Sequence, residues 1–258
     1  MKDTYRRFNT ARIIEHLVQI VTFCVLVATG LSQKFYSSDL SIWFILKLGG
    51  IDNARIIHRG AGLLFSLAAV VHIVAAIYGT IARKWQPSII ITKNDFTSAV
   101  HNIKYYLGIE NFPAASGKYN YTQKFEYWGI LTGGLMMMGT GAVLWHPVFF
   151  TRFMTGELVP LAKVLHSEEA LVVLLIIAGW HIYNSIFSPE VFPLNVSIFT
   201  GYIPRERMVR EHILELARIE DRTPEEIREE IREQMQKDAT REREAEREEG
   251  RRQSRNRD

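Results

Sequence analysis

The sequence predicts an all-α integral membrane protein: a four-transmembrane-helix bundle with a charged, partly helical C-terminal tail. Two observations lead to this prediction. Four apolar windows are long enough to cross a bilayer, and the composition changes abruptly after residue 204. Mean hydropathy is near zero because it averages apolar blocks with a highly charged end. We therefore divide the chain into a membrane domain, residues 1–204, and a tail, residues 205–258.

The four apolar windows cover about residues 13–31, 56–81, 127–144 and 164–187. A bilayer core about 30 Å thick requires about 20 apolar helical residues, so each window is read as one span. The first window is too long for a cleaved signal peptide and is expected to be retained. The third is rich in glycine, and small residues allow membrane helices to approach closely.

Two connecting segments have structure of their own in this prediction. Residues 41–50 are expected to form a short interfacial helix before the second span. The connection from residue 83 to residue 126 is long and carries several aromatic residues, so we expect it to pack on the membrane face rather than act as a linker.

The charged tail contains fifteen basic and seventeen acidic residues from Arg205 onwards. This balance argues against a polybasic arm for lipid or nucleic acid, and no nucleic-acid partner is expected. The run Thr223-Pro224-Glu225-Glu226 is typical of a helix start. Two interpretations of the tail stay open: a solvated helix that frays, or a segment that docks on a partner subunit.

Lysine and arginine in the connections predict the orientation. Four precede the first span, six lie between the second and third spans, and two lie between the third and fourth. Both termini and the central connection are therefore expected to face the cytoplasm, although three basic residues in the first connection weaken the bias.

The single cysteine, Cys24, lies within the first span. The chain alone therefore cannot form an internal disulfide, hold an iron–sulfur cluster or attach a c-type haem, which needs a Cys-x-x-Cys-His run. Any haem would be held by histidine and by packing.

Histidine pairs in two spans carry the chemistry. His58 and His72 are fourteen residues apart, and His166 and His181 are fifteen apart. At roughly 100° and 1.5 Å per residue, each pair lies near one helix face, with its members about 21 Å apart along the axis. Two such helices face to face would form two bis-histidine sites stacked across the bilayer, and bis-histidine iron suits electron transfer. The pattern predicts a transmembrane cytochrome b with two b-type haems.

The ligands of the inner haem are not decided by spacing. His58 and His166 are expected near the outer face and His181 near the cytoplasmic side, where His16 and His72 compete as its partner. A third haem that uses the spare histidine stays open. Arg59 is a candidate partner for a haem propionate or an interfacial arginine. We treat three other histidines as surface residues: His101, His146 and His212.

Several motifs resemble the group formed by formate dehydrogenase gamma-subunits and nickel–iron hydrogenase cytochromes b. They also resemble, more closely, the cytochrome b domains paired with multihaem c-type cytochromes. The likeness covers roughly residues 5–203 and is carried by the following segments: Arg12-Ile13-Ile14-Glu15-His16, Thr29-Gly30-Leu31-Ser32-Gln33-Lys34, His58-Arg59-Gly60-Ala61-Gly62, Trp180-His181-Ile182-Tyr183-Asn184 and Phe192-Pro193-Leu194.

The resemblance implies that the outer haem is held by His58 and His166, and the inner haem by His16 and His181. His72 departs from this pattern and remains a rival. The segment Gly117–Lys124 resembles the stretch that lines a menaquinone site, which makes Asn120 and Gln123 candidate partners of a quinone. A capping turn at the start of the third span is the alternative.

The functional prediction is an electron-transfer subunit of a quinone oxidoreductase complex rather than an enzyme acting alone. It would sit in the bacterial inner membrane and connect a menaquinone or ubiquinone pool with a multihaem cytochrome c or an iron–sulfur subunit on the outer side. Two other classes stay open: a histidine-based metal or proton transporter, and a structural membrane anchor.

Overall fold

Long helices make up most of this computed structural model, which describes residues 3–84, 87–110, 113–188, 191–234, 236–237 and 240–241. The chain divides into two units. One, called here the membrane unit, contains Thr4–Ile91 and Thr122–Ile203. The other, called the polar unit, contains Asp3, Thr92–Tyr121 and the described residues from Pro204 onwards.

Four helices of the membrane unit are long and apolar enough to cross a bilayer, which confirms the predicted four-span bundle. They are α1 (Thr10–Lys34), α3 (Ile51–Ile81), α5 (Tyr121–Trp145) and α7 (Leu158–Leu175). The fourth span continues from α7 in π-helical form through Ile176–His181 and Tyr183–Phe187. Each predicted window lies within one of these spans, and the observed helices extend beyond the windows.

Small and hydroxylated residues occupy the helix interfaces, whereas many large apolar side chains point outwards. This is the arrangement expected in lipid, where apolar side chains gain little by leaving the hydrocarbon and close backbone approach stabilises the bundle. The buried residues of the four spans are Thr22, Thr29 and Ser32 in α1, Ala54 and Gly79 in α3, Gly133 and Val143 in α5, and Ala162 in α7.

A short helix, α2 (Asp39–Lys47), connects α1 with α3. Its Leu40, Trp43 and Leu46 side chains are exposed, as expected for a helix at a membrane interface. The turn into α3 requires φ values of 86° and 107°, which Gly49 and Gly50 supply.

The start of α1 is tied to the segment after the fourth span. Asn9 caps α1 by accepting a hydrogen bond from the Arg12 backbone N–H at 2.9 Å. Strand β1 (Thr4–Arg6) pairs with β2 (Tyr202–Pro204) in a two-stranded sheet that the sequence did not predict. Two further short helices belong to this unit: α6 (Pro147–Phe150) and α8 (Ser197–Thr200).

The polar unit contains α4 (Lys93–Tyr106), α9 (Arg205–Glu211), α10 (Ile213–Glu220) and a last helix that is described over residues 224–234. That last helix begins where the Thr-Pro-Glu-Glu run predicts a start. The Glu226 backbone N–H donates to the Thr223 hydroxyl at 3.3 Å, and the Thr223 backbone N–H donates to the Glu226 carboxylate at 2.9 Å.

A small apolar core holds the polar unit together, so the first part of the tail is not a lone solvated helix. Leu216 and Ile227 are fully buried. His212 is fully buried as well, and its Nδ1 lies 2.8 Å from the Gly117 carbonyl oxygen. The expectation that His212 is a surface residue was therefore wrong, because the backbone of the connection between the second and third spans supplies a hydrogen-bond acceptor to this side chain.

Candidate functional site

Four histidines of the membrane unit form two cross-helix pairs. His58 on α3 and His166 on α7 have ring centroids 6.3 Å apart, with an angle of 78° between the ring planes. His16 on α1 and His181, in the π-helical part of the fourth span, have centroids 6.2 Å apart with an angle of 50°. The structure thus brings His181 to His16 rather than to His72.

The separation within each pair suits one metal ion between two rings. An imidazole nitrogen lies about 2 Å from a metal that it binds, so two rings on opposite sides of one ion have centroids about 6 Å apart. Two side chains leave most positions around an ion to other donors. A haem would supply such donors, and the two histidines of each pair would hold it.

Threonine hydroxyls fix the orientation of one pair. Thr29 donates its hydroxyl hydrogen to the Val25 carbonyl at 2.6 Å, and its oxygen lies 2.9 Å from His58 Nδ1. A hydroxyl has one hydrogen, so the oxygen must accept from an Nδ1–H group. This tautomer leaves the Nε2 lone pair of His58 available to a metal.

The same arrangement occurs on the partner histidine. Thr140 donates to the Met136 carbonyl at 2.8 Å, and its oxygen lies 2.9 Å from His166 Nδ1. Both members of the pair therefore carry the hydrogen on Nδ1 and present a bare Nε2. Such a second layer of hydrogen bonds is typical of metal-ligating histidines.

A glycine follows each of these threonines and admits the imidazole ring. A Cβ atom at Gly30 would lie 3.2 Å from His58 Cε1, and a Cβ at Gly141 would lie 3.2 Å from His166 Cε1. Each Thr-Gly dipeptide therefore binds the ring with its hydroxyl and leaves space for it with its glycine. This unit occurs once on α1 against α3 and once on α5 against α7.

A carboxylate replaces the hydroxyl at the other pair. His181 Nδ1 is hydrogen-bonded to Glu126 on α5, and an ionised carboxylate can only accept. His181 therefore donates from Nδ1 and keeps its Nε2 lone pair. His16 Nδ1 is buried and has no hydrogen-bond partner among the described residues. None of these residues therefore fixes the tautomer of His16.

The remaining inner histidine, His72, lies in a different polar cluster. Its Nδ1 is 2.5 Å from an Arg12 guanidinium nitrogen and 3.1 Å from Glu15 Oε2, and its Nε2 is 3.0 Å from the Tyr127 hydroxyl. Both ring nitrogens thus have protein partners.

Two basic residues near the His58–His166 pair, Arg59 and Lys34, contact other protein groups. Arg59 lies over the Trp145 ring, with its guanidinium carbon 5.9 Å from the ring centroid. Lys34, at the end of α1, donates to the Ser167 hydroxyl and to Glu168, both at 2.7 Å. These contacts join α1 to α7 one and two residues beyond His166.

The two candidate quinone residues lie at the start of the third span. Asn120 directly precedes α5 and belongs to the polar unit, whereas Gln123 lies in the first turn of α5 and belongs to the membrane unit. Both have interactions with other groups of the protein.

Sequence reasoning missed the side chains that hold the imidazole rings, chiefly Thr29, Thr140 and Glu126. A Thr-Gly dipeptide is a weak signal because it also occurs at Thr132-Gly133, Thr155-Gly156 and Thr200-Gly201, away from any histidine pair. The carboxylate of Glu126 stood outside the predicted window of the third span, at its polar end, where acidic residues are common.

Similar proteins are cytochrome b556 subunits of bacterial formate dehydrogenases. The chain is 29% identical over 164 residues to the subunit from Haemophilus influenzae, which covers 64% of this chain and 63% of that subunit. It is 24% identical over 186 residues to the cytochrome b556(fdo) subunit of Escherichia coli K12, covering 72% and 81% of the two chains. It is 22% identical over 159 residues to the nitrate-inducible cytochrome b556(Fdn) subunit of the same strain. No protein-family model matches the chain. The chain thus matches less than two thirds of the length of the Haemophilus subunit.

Proposed function

We propose that the chain is a membrane cytochrome b subunit that transfers electrons across the bilayer between a quinone pool and a partner redox subunit. The observation that carries the proposal is the presence of two cross-helix histidine pairs with centroids 6.2 and 6.3 Å apart. The similarity to cytochrome b556 subunits of formate dehydrogenases supports it, and so does the four-span bundle. Membership in that family is part of the proposal.

Two b-type haems are proposed, one held by His58 and His166 and the other by His16 and His181. A haem held by two histidines would supply one-electron transfer. Thr29, Thr140 and Glu126 keep three of the four rings in the tautomer that presents Nε2. His72 is left out of the ligand set because its two ring nitrogens face Arg12, Glu15 and Tyr127.

The two pairs lie towards opposite ends of the fourth span, which is what transfer across a membrane needs. His166 lies eight residues after Leu158, and His181 lies six residues before Phe187. We assign the His16–His181 pair to the cytoplasmic side of the bacterial inner membrane, with both termini in the cytoplasm, from the distribution of Lys and Arg.

Substrate and partner complete the proposal. A menaquinone or ubiquinone would bind near the His16–His181 pair, where Gln123 on α5 offers an amide group to a quinone carbonyl oxygen. Asn120 stays a candidate from the sequence resemblance. The partner would dock on the outer side near the His58–His166 pair. An iron–sulfur subunit is favoured over a multihaem cytochrome c, because the similar proteins are named as formate dehydrogenase subunits. Arg59 stays our candidate for pairing with a propionate at that end.

The experiment that tests the proposal is a reduced-minus-oxidised spectrum of the purified full chain, with a pyridine haemochrome count per polypeptide. Two b haems are expected. The His181→Ala and His16→Ala variants should each lose the same haem, and His72→Ala should keep both. A chain without haem would refute the proposal and favour the transporter or the anchor. Loss of a haem in His72→Ala would refute the ligand assignment.

A further inference from the structure

The large apolar side chains of α4 lie on its exposed side. Phe96, Val100 and Ile103 of α4, and Leu107 directly after it, are 54–70% exposed. They are separated by four, three and four residues, so they lie along one side of the helix. We call these four residues the α4 stripe.

Polar groups occupy the side of α4 that packs on its own unit. Asp95 is 6% exposed, and its carboxylate accepts from the Thr92 backbone N–H at 2.7 Å. The side-chain oxygen of Asn102 accepts from the Ala114 backbone N–H at 2.6 Å. A surface helix of a water-soluble protein turns its apolar side inwards and its polar side outwards. The orientation of α4 is the reverse.

The exposure of the α4 stripe is similar to that of side chains on a membrane span. On α3, Leu63, Leu67 and Val74 are 58–61% exposed, as suits positions that face lipid. Water-soluble proteins rarely leave a continuous apolar patch uncovered. The 14 residues of α4 are too few to cross a bilayer core of about 30 Å. A helix with these properties lies along a membrane surface, with its apolar side in the lipid.

Both ends of α4 are connected to membrane spans. Because α3 ends at Ile81 and α5 begins at Tyr121, residues 82–92 and 107–120 link α4 to the two spans. Two such links keep the helix at a high effective concentration next to the bilayer. A partner protein has no link of this kind to α4, so lipid is the favoured occupant of the stripe.

Two lysines add positive charge along one edge of the stripe. Lys93 and Lys104 are exposed and are eleven residues apart, which is about three helical turns. They therefore lie on the same edge of the α4 stripe. On a helix at a membrane surface, lysines in this position attract anionic lipid headgroups.

We propose that the α4 stripe inserts into the boundary between headgroups and acyl chains, with Lys93 and Lys104 at anionic headgroups. The connection between the second and third spans is then held to the bilayer in its middle as well as at its two ends. This specifies which side chains carry out the sequence-based expectation that the connection lies on the membrane face. It does not depend on which histidines bind haem.

The test measures whether lipid or water surrounds the stripe in the full chain. The chain carries Cys24→Ala, which removes its one cysteine, and is placed as single copies in nanodiscs of phosphatidylcholine and phosphatidylglycerol. A nitroxide is attached at Val100→Cys and at Ile103→Cys. The matched control is Asn94→Cys, an exposed position on another side of α4. Electron paramagnetic resonance then compares collisions with oxygen, which concentrates in lipid, and with a nickel chelate, which stays in water.

We expect the labels at residues 100 and 103 to collide with oxygen and to be protected from nickel, and the label at residue 94 to be accessible to nickel. Two labelled positions are used so that one disturbed variant does not decide the result. Access of nickel to residues 100 and 103 would overturn the proposal. Protection of both positions from both reagents would also overturn it, because protein and not lipid would then cover the stripe.

The contribution of the lysines is tested by lipid composition. Replacing phosphatidylglycerol by phosphatidylcholine should lower the ratio of immersed to water-exposed label about fivefold for each lysine. The variant with Lys93→Gln and Lys104→Gln should lose this dependence on lipid charge. The same ratio in both lipids for the chain with its lysines would overturn their assignment to anionic headgroups.

Discussion

Replacing Gly30 by alanine tests the claim that the Thr-Gly unit is built around a fixed imidazole. The added Cβ would lie 3.2 Å from His58 Cε1 and 3.8 Å from its Nδ1. A contact this tight could relax if the ring moved by a few tenths of an ångström. The His58 ring is held by the hydrogen bond between its Nδ1 and the Thr29 hydroxyl oxygen at 2.9 Å, so we expect strain instead of relaxation.

The magnitude follows from two opposing contributions. Overpacking by one methyl group costs about 1–3 kcal/mol. Alanine is favoured over glycine within a helix by about 1 kcal/mol. We therefore expect Gly30→Ala to be destabilised by up to about 2 kcal/mol, depending on how the two contributions balance.

The matched control is Gly60→Ala. Gly60 lies on α3 two residues after His58, and a Cβ there meets nothing within 4 Å. The Gly60→Ala variant should gain the higher helix propensity of alanine without a steric clash. The two variants should therefore differ in unfolding free energy by about 1–3 kcal/mol.

The assay is thermal unfolding of both variants in the same detergent, together with the haem count and the low-temperature absorption bands. We expect Gly30→Ala to unfold at a lower temperature and to lose or perturb one of the two haems. If Gly30→Ala unfolds no earlier than Gly60→Ala and its haem bands are unchanged, the ring is not fixed as we describe.

Two further predictions concern a hydroxyl and an ion pair. Thr140→Val removes the acceptor for His166 Nδ1 and should weaken haem retention about 10- to 100-fold in a haem-transfer assay. In the control Thr132→Val, the lost hydroxyl is one that donates to the Trp128 carbonyl of its own helix, so haem retention should stay at the wild-type value. Equal retention in the two variants would contradict the tautomer argument. In the polar unit, the hydrogen bond from Arg222 lowers the pKa of Glu230 below its usual 4.5. The stability from this ionised carboxylate is present above pH 4.5 and is lost as the pH falls through the lowered value. Acid unfolding of Glu230→Gln followed by circular dichroism should therefore lose part of this pH dependence, and an unchanged acid profile would contradict it.

The spans could be predicted from sequence because their signal is additive over many residues. No single side chain decides whether residues 13–31 or 56–81 cross a bilayer, and the four windows were confirmed as helices. The boundaries were less predictable. Polar residues such as Glu126 lowered the hydropathy at the ends of the windows although the helices continue through them.

The grouping of the histidines could be predicted only in part. Spacing within one helix brought His58 and His72 to one face, but it gave no information about which neighbouring helix reaches which ring. The change to π-helical bonding after Leu175 also alters the angle per residue, so the regular spacing rule does not extend to His181. The buried position of His212 depends on a carbonyl 95 residues away in the chain and has no local signal.

The positions of the paired histidines in the chain have a consequence for assembly. His16 and His58 belong to the first two spans, and His166 and His181 belong to the last span. Each ring pair therefore bridges the N-terminal and C-terminal halves of the bundle. A group bound between the rings would act as a cross-link between two hairpins, and its insertion would be a step in their joining. Cohesion between separately expressed halves would then report on cofactor loading.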